Sequence, residues 1–256
     1  MLKTHFLDCK FRYLVAGIGK KFIFGYMNVD ILGNAVDNYW RKGDTTPVKI
    51  WINGHREPDM NPQIFFRKFP SMLGYEKLVM KAVKGRVLDL GCSAGCHAFY
   101  LKNARGIEVE GVELSPKAVK IARERGLVVH NLDWKELSKS NFDQAYALMN
   151  GMGLAQSLEE LDLLFNKLNL CLKKGGVLWI DSTDVTYAEA YWPVKNKAYF
   201  GLVEFQLEYK KKKQRFPWLF VDRKTAMKKA RIAGFSIVEC KLEKNGHYLL
   251  QLRKIR

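Results

Sequence analysis

The chain has 256 residues, of which 48% are hydrophobic, with 43 Lys or Arg against 26 Asp or Glu and a formal net charge of +17. That length suits one large α/β domain or a domain with attachments, and the apolar content excludes a disordered chain. Five scattered cysteines (Cys9, Cys92, Cys96, Cys171 and Cys240) exclude a disulfide scaffold and point to a reducing, cytoplasmic setting.

The charge is uneven. Residues 85–184 carry 12 basic and 13 acidic side chains, whereas residues 185–256 carry 17 and 6, densest at Lys210 to Lys213 and Arg215. Such an excess bears on partners and not on fold.

Residues 1–28 read as an extension. The apolar stretch from Tyr13 to Ile18 is broken by Lys20 and Lys21, and no small-residue cleavage site follows, so no secretory signal is expected. A helix packed on the domain or an unstructured extension suits it better than a helix lying on a membrane, and Met27 reads as an alternative start. No apolar run reaches the ~18 residues of a membrane span. Residues 29–84 read as a cap segment, helical at both ends. Its middle is punctuated by turn signals at Asp44 to Pro47, Asn53-Gly54, Glu57-Pro58 and Asn61-Pro62. A helix is predicted from Gly74 to Val83, with Leu78, Val79 and Ala82 on its buried face.

From Gly85 onward short apolar runs alternate with helical periodicity. Strands are predicted over Arg86–Leu90, Ile107–Leu114, Leu127–Asn131, Phe142–Met149 and Val177–Ile180. Helices are predicted over Gly95–Arg105, from Pro116 to Gly126 behind a Ser115 cap, and over Leu158–Leu172, ended by Gly175-Gly176. This alternation implies an α/β domain over residues 85–256, with a parallel, doubly wound sheet in three layers. After Asp184 the pattern changes. Leu202–Tyr209 alternates as a half-exposed strand, and Phe216–Val221 is expected to pair with it across the lysines. Together they make a β-hairpin insertion (185–221) with a basic tip. Asp222 caps a helix ending before Gly234, and Asn245-Gly246 joins strands Phe235–Leu242 and Tyr248–Leu252.

The chemistry lies in Val87-Leu-Asp-Leu-Gly-Cys-Ser-Ala-Gly95. A buried strand delivers Asp89, and a small-residue turn brings Gly91, Ser93 and Gly95 to a helix N-terminus, where backbone approaches a ligand closely. Glu113 ends the second strand, where an acid can accept both hydroxyls of a ribose. Asp133, after the third strand, can accept from an adenine amino group, with Trp134 or Leu114 beside the ring. A nicotinamide dinucleotide site would share this logic. Against it, Ser93 and Cys96 interrupt the G-x-G-x-x-G pattern, Asp89 would repel a diphosphate, and the chain ends in an antiparallel hairpin.

Together these residues resemble the class I S-adenosylmethionine-dependent methyltransferases, over roughly residues 75–253. Phe142-Asp143, Lys173-Lys174-Gly175-Gly176 and Ala233-Gly234-Phe235 add to the likeness; Ser93, where the family often has glycine, is a mild departure. The resemblance implies a Rossmann-like sheet of seven strands in the order 3-2-1-4-5-7-6, the last antiparallel. It implies S-adenosylmethionine as cofactor, with Asp89, Gly91, Ser93 and Gly95 at the methionine end and Glu113 on the ribose. Leu114, Asp133 and Trp134 would lie at the adenine, and Asn150 beside the methyl group. A narrower likeness to a poorly characterised group of bacterial methyltransferases rests on Ile50-Trp51, Phe65-Phe66-Arg67, Leu148-Met149-Asn150-Gly151, Asp181-Ser182-Thr183-Asp184, Phe216-Pro217-Trp218-Leu219 and His247-Tyr248.

No catalytic residue is assigned. Asp181 and Asp184, at the end of the fifth strand, are acid–base candidates and read equally well as turn residues. His97, in the first turn after the glycines, is a third, although a packed histidine is commoner there. His247 reads as structural. Cys92 and Cys96 have no Cys/His partners at ligand spacing, so no metal site is expected. The Asn/Asp-Pro-Pro-aromatic motif of nucleic-acid amine methylation is absent, as is a Pro-Cys nucleophile. The leading expectation is O- or N-methylation of a small molecule, with Trp51, Phe65, Phe66, Tyr191, Trp192 and Trp218 lining the pocket. An RNA methyltransferase using Lys210–Lys213, Arg215, Lys224, Lys228 and Arg231 is the second. A non-catalytic cofactor-binding subunit is the third.

Overall fold

The computed structural model describes residues 30–186 and 199–255. The expectations for residues 1–28 and for Tyr191 and Trp192 lie outside them. No helix among the described residues is long and apolar enough to cross a membrane.

The N-terminal segment opens with α1 (Ile31–Lys42), capped by Asp30, whose Oδ1 accepts from the Gly33 N–H at 2.8 Å. The punctuated middle is more ordered than its turn signals suggested. It forms a hairpin of β1 (Val48–Ile52) and β2 (His55–Met60). Asn53 and Gly54 both take positive φ, 51° and 88°, as a two-residue hairpin turn of matching twist requires. Two short 3-10 turns then lead to α2 (Gly74–Ala82).

The main domain follows as β3 (Arg86–Leu90), α3 (Cys96–Arg105), β4 (Glu108–Glu113), α4 (Pro116–Glu124), β5 (Val128–Asn131), β6 (Phe142–Ala147), α5 (Leu158–Cys171) and β7 (Leu172–Thr183). The bounds depart most from expectation around β7 and at the end of β6. Helix α5 stops at Cys171, and Gly175-Gly176 lies inside β7. Pairing with β6 jumps from Phe142↔Leu172 to Gln144↔Val177, so the glycines form a bulge and not a helix stop. Strand β6 ends at Ala147 because Met149 and Asn150 are both left-handed (φ 68° and 62°).

The chain then builds β8 (Leu202–Tyr209), β9 (Lys212–Leu219), α6 (Arg223–Ile232), β10 (Phe235–Leu242) and β11 (His247–Lys254). The seven-stranded sheet runs β5-β4-β3-β6-β7-β11-β10, with β11 antiparallel to both neighbours. Counted within the domain this is the order 3-2-1-4-5-7-6. One face is covered through Val79, Leu101 and Val119 of α2, α3 and α4, the other through Leu161, Phe165 and Ala226 of α5 and α6.

The β8–β9 hairpin turns at Lys210-Lys211 alone, so its tip is shorter than the lysine run. It does not stand by itself. Strand β1 pairs with β8, and β2-β1-β8-β9 form one antiparallel sheet. Glu204 N–H donates to Asn53 Oδ1 at 2.9 Å across 151 residues of chain, clamping the two hairpins together. This cap sheet roofs the C-terminal edge of the parallel sheet.

Candidate active site

A cavity of about 370 Å³ lies between the carboxyl ends of the parallel strands and the inner face of the cap sheet. Ligands of open α/β sheets bind at that edge. Its floor includes Asp89, Gly91, Ser93, Glu113 and Asn150; its roof includes Ile50, Phe205, Leu207, Phe216, Trp218 and Phe220. A second cavity of about 150 Å³ shares Gly91, Glu113 and Leu154 with it and adds Leu114, Asp133 and Trp134. Every expected cofactor residue except Gly95 thus lines one of two adjoining spaces. Gly95 shapes the turn from behind, since a Cβ there would run into Leu127.

The turn after β3 places Gly91, Ser93 and Gly95 at φ 74°, 48° and 76°. Serine is disfavoured in that region. Its strain is offset where Ser93 N–H donates to Glu113 Oε2 at 2.9 Å. Glu113 Oε1 accepts from Ser115 N–H at 2.8 Å, so each carboxylate oxygen keeps accepting capacity for a hydroxyl. Burial raises the Glu113 carboxyl, and the N–H groups of Ser115 and Ser93 hold it back. Asp89 is 2% exposed, and its Oδ2 has no hydrogen-bond partner. Burial pushes its carboxyl up to about 6, against the pull of His97. A buried carboxylate oxygen without a donor, lining a cavity, fits a cationic ligand group. Asp133 accepts from Lys135 N–H at 2.9 Å, and Trp134 Nε1 donates to the Leu154 carbonyl at 3.0 Å, fixing the indole as a wall. Leu114 is 42% exposed beside them. A cationic tail, a diol and a flat base therefore each find suitable residues.

One cluster escaped the sequence reading. Glu76 lies on the buried side of α2, fully enclosed, and forms an ion pair with Arg67. Its Oε1 also accepts from His97 Nε2 at 2.9 Å, and Arg67 Nη2 lies 3.5 Å from Met149 Sδ. Burial opposes charge on Glu76, but His97, the Leu73 N–H and Arg67 draw it down to about 2. Burial likewise opposes charge on His97, yet Cys96, Glu76 and Asp89 outweigh it and push the imidazole up to about 10. The available signal was an acidic residue on the apolar face of an amphipathic helix, which requires a partner.

The acid–base candidates separate. His97 lines the larger cavity, its imidazole pushed upward by Cys96, Glu76 and Asp89. Asp181 and Asp184 line neither space. Asp181 is fully buried and accepts from Asn150 N–H at 3.0 Å, Gly151 N–H at 2.8 Å and His247 Nε2 at 2.8 Å. It is a positioning residue that holds two adjacent left-handed residues, Met149 and Asn150, in a conformation that costs of order 1–3 kcal/mol each. Asp184 closes a turn, accepting from Thr186 Oγ1 at 2.7 Å. Asn150 Oδ1 accepts from Thr183 Oγ1 at 2.8 Å, which orients its amide in the cavity wall. Of the expected lining residues, Phe65 and Trp218 are in place. Trp51 is not: strand alternation puts it on the outer face, under the Arg56 guanidinium at 4.8 Å. Phe66 instead stacks on Trp40, ring centroids 5.6 Å apart.

The sheet order and the site at its carboxyl edge define a class I, Rossmann-like methyltransferase fold. Residues 87–176 match the family described as a methyltransferase domain. A SAM-dependent methyltransferase from Bacteroides fragilis, solved in complex with S-adenosyl-L-homocysteine, superposes with a TM-score of 0.78 at 26% identity, covering 89% of this chain and 95% of that one. A S-adenosylmethionine-dependent methyltransferase from Clostridium acetobutylicum shares the fold at 17% identity and TM-score 0.55 over 71% of this chain and 89% of that one. A sugar N-methyltransferase from a Streptoalloteichus species does so at 16% identity and TM-score 0.51 over 73% and 88%. No curated protein matches the chain. Residues 87–176 thus match a methyltransferase-domain family, on a fold shared with class I S-adenosylmethionine-dependent methyltransferases.

Proposed function

We propose that the chain transfers the methyl group of S-adenosylmethionine to an oxygen or nitrogen of a small-molecule acceptor enclosed between the parallel sheet and the cap. The roof carries this reading. It closes the cavity over the floor with apolar side chains and, among the described residues, no Lys or Arg. Lys210 is paired with Asp44 at 2.5 Å and Lys213 with Glu208 at 3.5 Å, and none of the lysines at 210–213 lines the cavity. The basic run therefore lends no support to an RNA backbone reaching the site.

Bound S-adenosylmethionine supplies an electrophilic methyl group on a sulfonium. Asp89, Gly91 and Ser93 would hold its amino-acid end, Glu113 the ribose hydroxyls, and Leu114, Asp133 and Trp134 the base. Asp181 sets the main chain of Asn150 beside the reacting atoms, and the cap covers them. Alignment alone can supply several kcal/mol of the barrier. His97 is already protonated and is not a general base at neutral pH.

The test offers cofactor labelled in the methyl group to the full chain, with a metabolite extract and with total RNA. Label is expected in the solvent-extractable small-molecule fraction. Label in RNA alone would overturn the small-molecule reading.

A further inference from the structure

We infer that the methyl acceptor is an uncharged, planar aromatic molecule of one or two rings, stacked under the aromatic roof. This rests on the function proposed above and names its substrate class.

The inner face of the β8–β9 hairpin presents a continuous layer of rings. Phe205 is its hub, with centroids 5.9 Å from Phe216, 5.6 Å from Trp218 and 6.1 Å from Phe220. Phe205, Phe216 and Trp218 alternate inward along paired strands, and Phe220 follows just past the end of β9, its N–H bonded to the Gly201 carbonyl at 2.8 Å, which holds the four as one surface. Trp218 is seated hard against the turn after β6, where only the missing Cβ of Gly153 admits the indole. The roof height is thereby set. A low roof of rings favours a flat π-system, which gains offset-stacking or edge-to-face contact that a saturated molecule of equal area does not.

Charge argues the same way. In a chain of net charge +17, the larger cavity has no Lys or Arg lining it among the described residues. Its charged groups are Asp89, Glu113 and His97, and His97 is already engaged by Glu76. The two carboxylates belong to the cofactor floor. A carboxylate or phosphate on the acceptor would find no free cation among the described residues, and an ammonium would sit beside the sulfonium, each costing several kcal/mol. The cavity of about 370 Å³ must also take the cofactor tail, which favours a small acceptor. The acceptor's lone pair forms the new C–O or C–N bond as the C–S bond breaks. The C–S electron pair stays on sulfur, and the acceptor's proton passes to water.

Calorimetric titration of the full chain, with and without S-adenosylhomocysteine, would compare 2-naphthol, 2-naphthoate and decahydro-2-naphthol. 2-Naphthol is expected to bind at least about tenfold more tightly than either relative. Phe205→Leu and Phe216→Leu, which keep apolar bulk and remove one ring, should each weaken 2-naphthol about three- to tenfold with S-adenosylhomocysteine affinity unchanged. Equal or tighter binding of the naphthoate or the saturated alcohol overturns the inference, as does no binding of any of the three. Failure to bind S-adenosylhomocysteine would instead strike the methyltransferase reading, while the series run without it still reports the preference of the roof.

Discussion

Asp89 and Phe205 line the same cavity, but they reach it by different routes. Asp89 is delivered by one strand and the turn that follows it, within a domain of consecutive strand–helix units. Phe205 is held by a sheet whose halves pair as Ile50↔Leu207 across most of the chain. The parallel sheet supplies the polar groups proposed to recognise a charged nucleoside. The cap supplies rings and aliphatics, and its basic residues point elsewhere. Cofactor and acceptor recognition are thus separated by sheet, so they should be separable by substitution.

The largest effect is expected at the floor. Asp89→Ala should weaken S-adenosylhomocysteine by about one to two orders of magnitude in calorimetry and leave 2-naphthol binding nearly intact. Loss of both would show that the sheets do not act independently. At the junction, Gly153→Ala drives a Cβ into the Trp218 indole. It should cost about 1–3 kcal/mol in urea unfolding and impair acceptor binding more than cofactor binding. Asp181→Asn removes charge from the clamp on Asn150 and Gly151. Turnover should fall about tenfold with KM for the cofactor little changed, whereas a purely structural role would lower only the melting temperature.

Titration gives smaller, graded effects. Asp89, raised to about 6, carries its charge above that pH. Cofactor affinity should hold above pH 6 and decline below it, and Asp89→Asn should abolish the dependence. His97 is raised from 6.5 to about 10 by its partners, so its contribution to stability is complete below pH 6.5 and is lost as pH rises toward 10. Melting temperature should fall over that alkaline range, and His97→Gln should flatten the slope. The smallest effect belongs to Lys211→Ala with Lys212→Ala at the hairpin tip. Unfolding free energy should move by less than about 0.5 kcal/mol and 2-naphthol affinity not at all.

Much of the parallel domain was legible before the structure. Asp89, Gly91, Glu113 and Asp133 follow strands whose apolar runs are short and whose turns are built of small residues. Their placement depends on local conformation and on the strand order that the family resemblance implies. The cap was only half legible. Asn53-Gly54 announced a turn and Leu202–Tyr209 a strand, but no local signal said that β1 and β8 would pair. The Arg67–Glu76–His97 cluster was hidden for the same reason, since its members meet only through packing. Asp181 was legible as an acid at a strand end but not as a clamp on Asn150 and Gly151, because a carboxylate facing solvent and one accepting from two backbone N–H groups share one sequence context.

By itself, then, the amino-acid sequence determined the alternating strands and helices of a parallel sheet and the small-residue turn at its carboxyl edge, because each arises from local conformation, while the order of the strands came only with the resemblance to a known family. Tertiary structure alone decided what covers that edge. Hydrogen bonds between strands carry no memory of how far apart their residues lie in the chain, and the aromatic roof exists only where two distant hairpins share them.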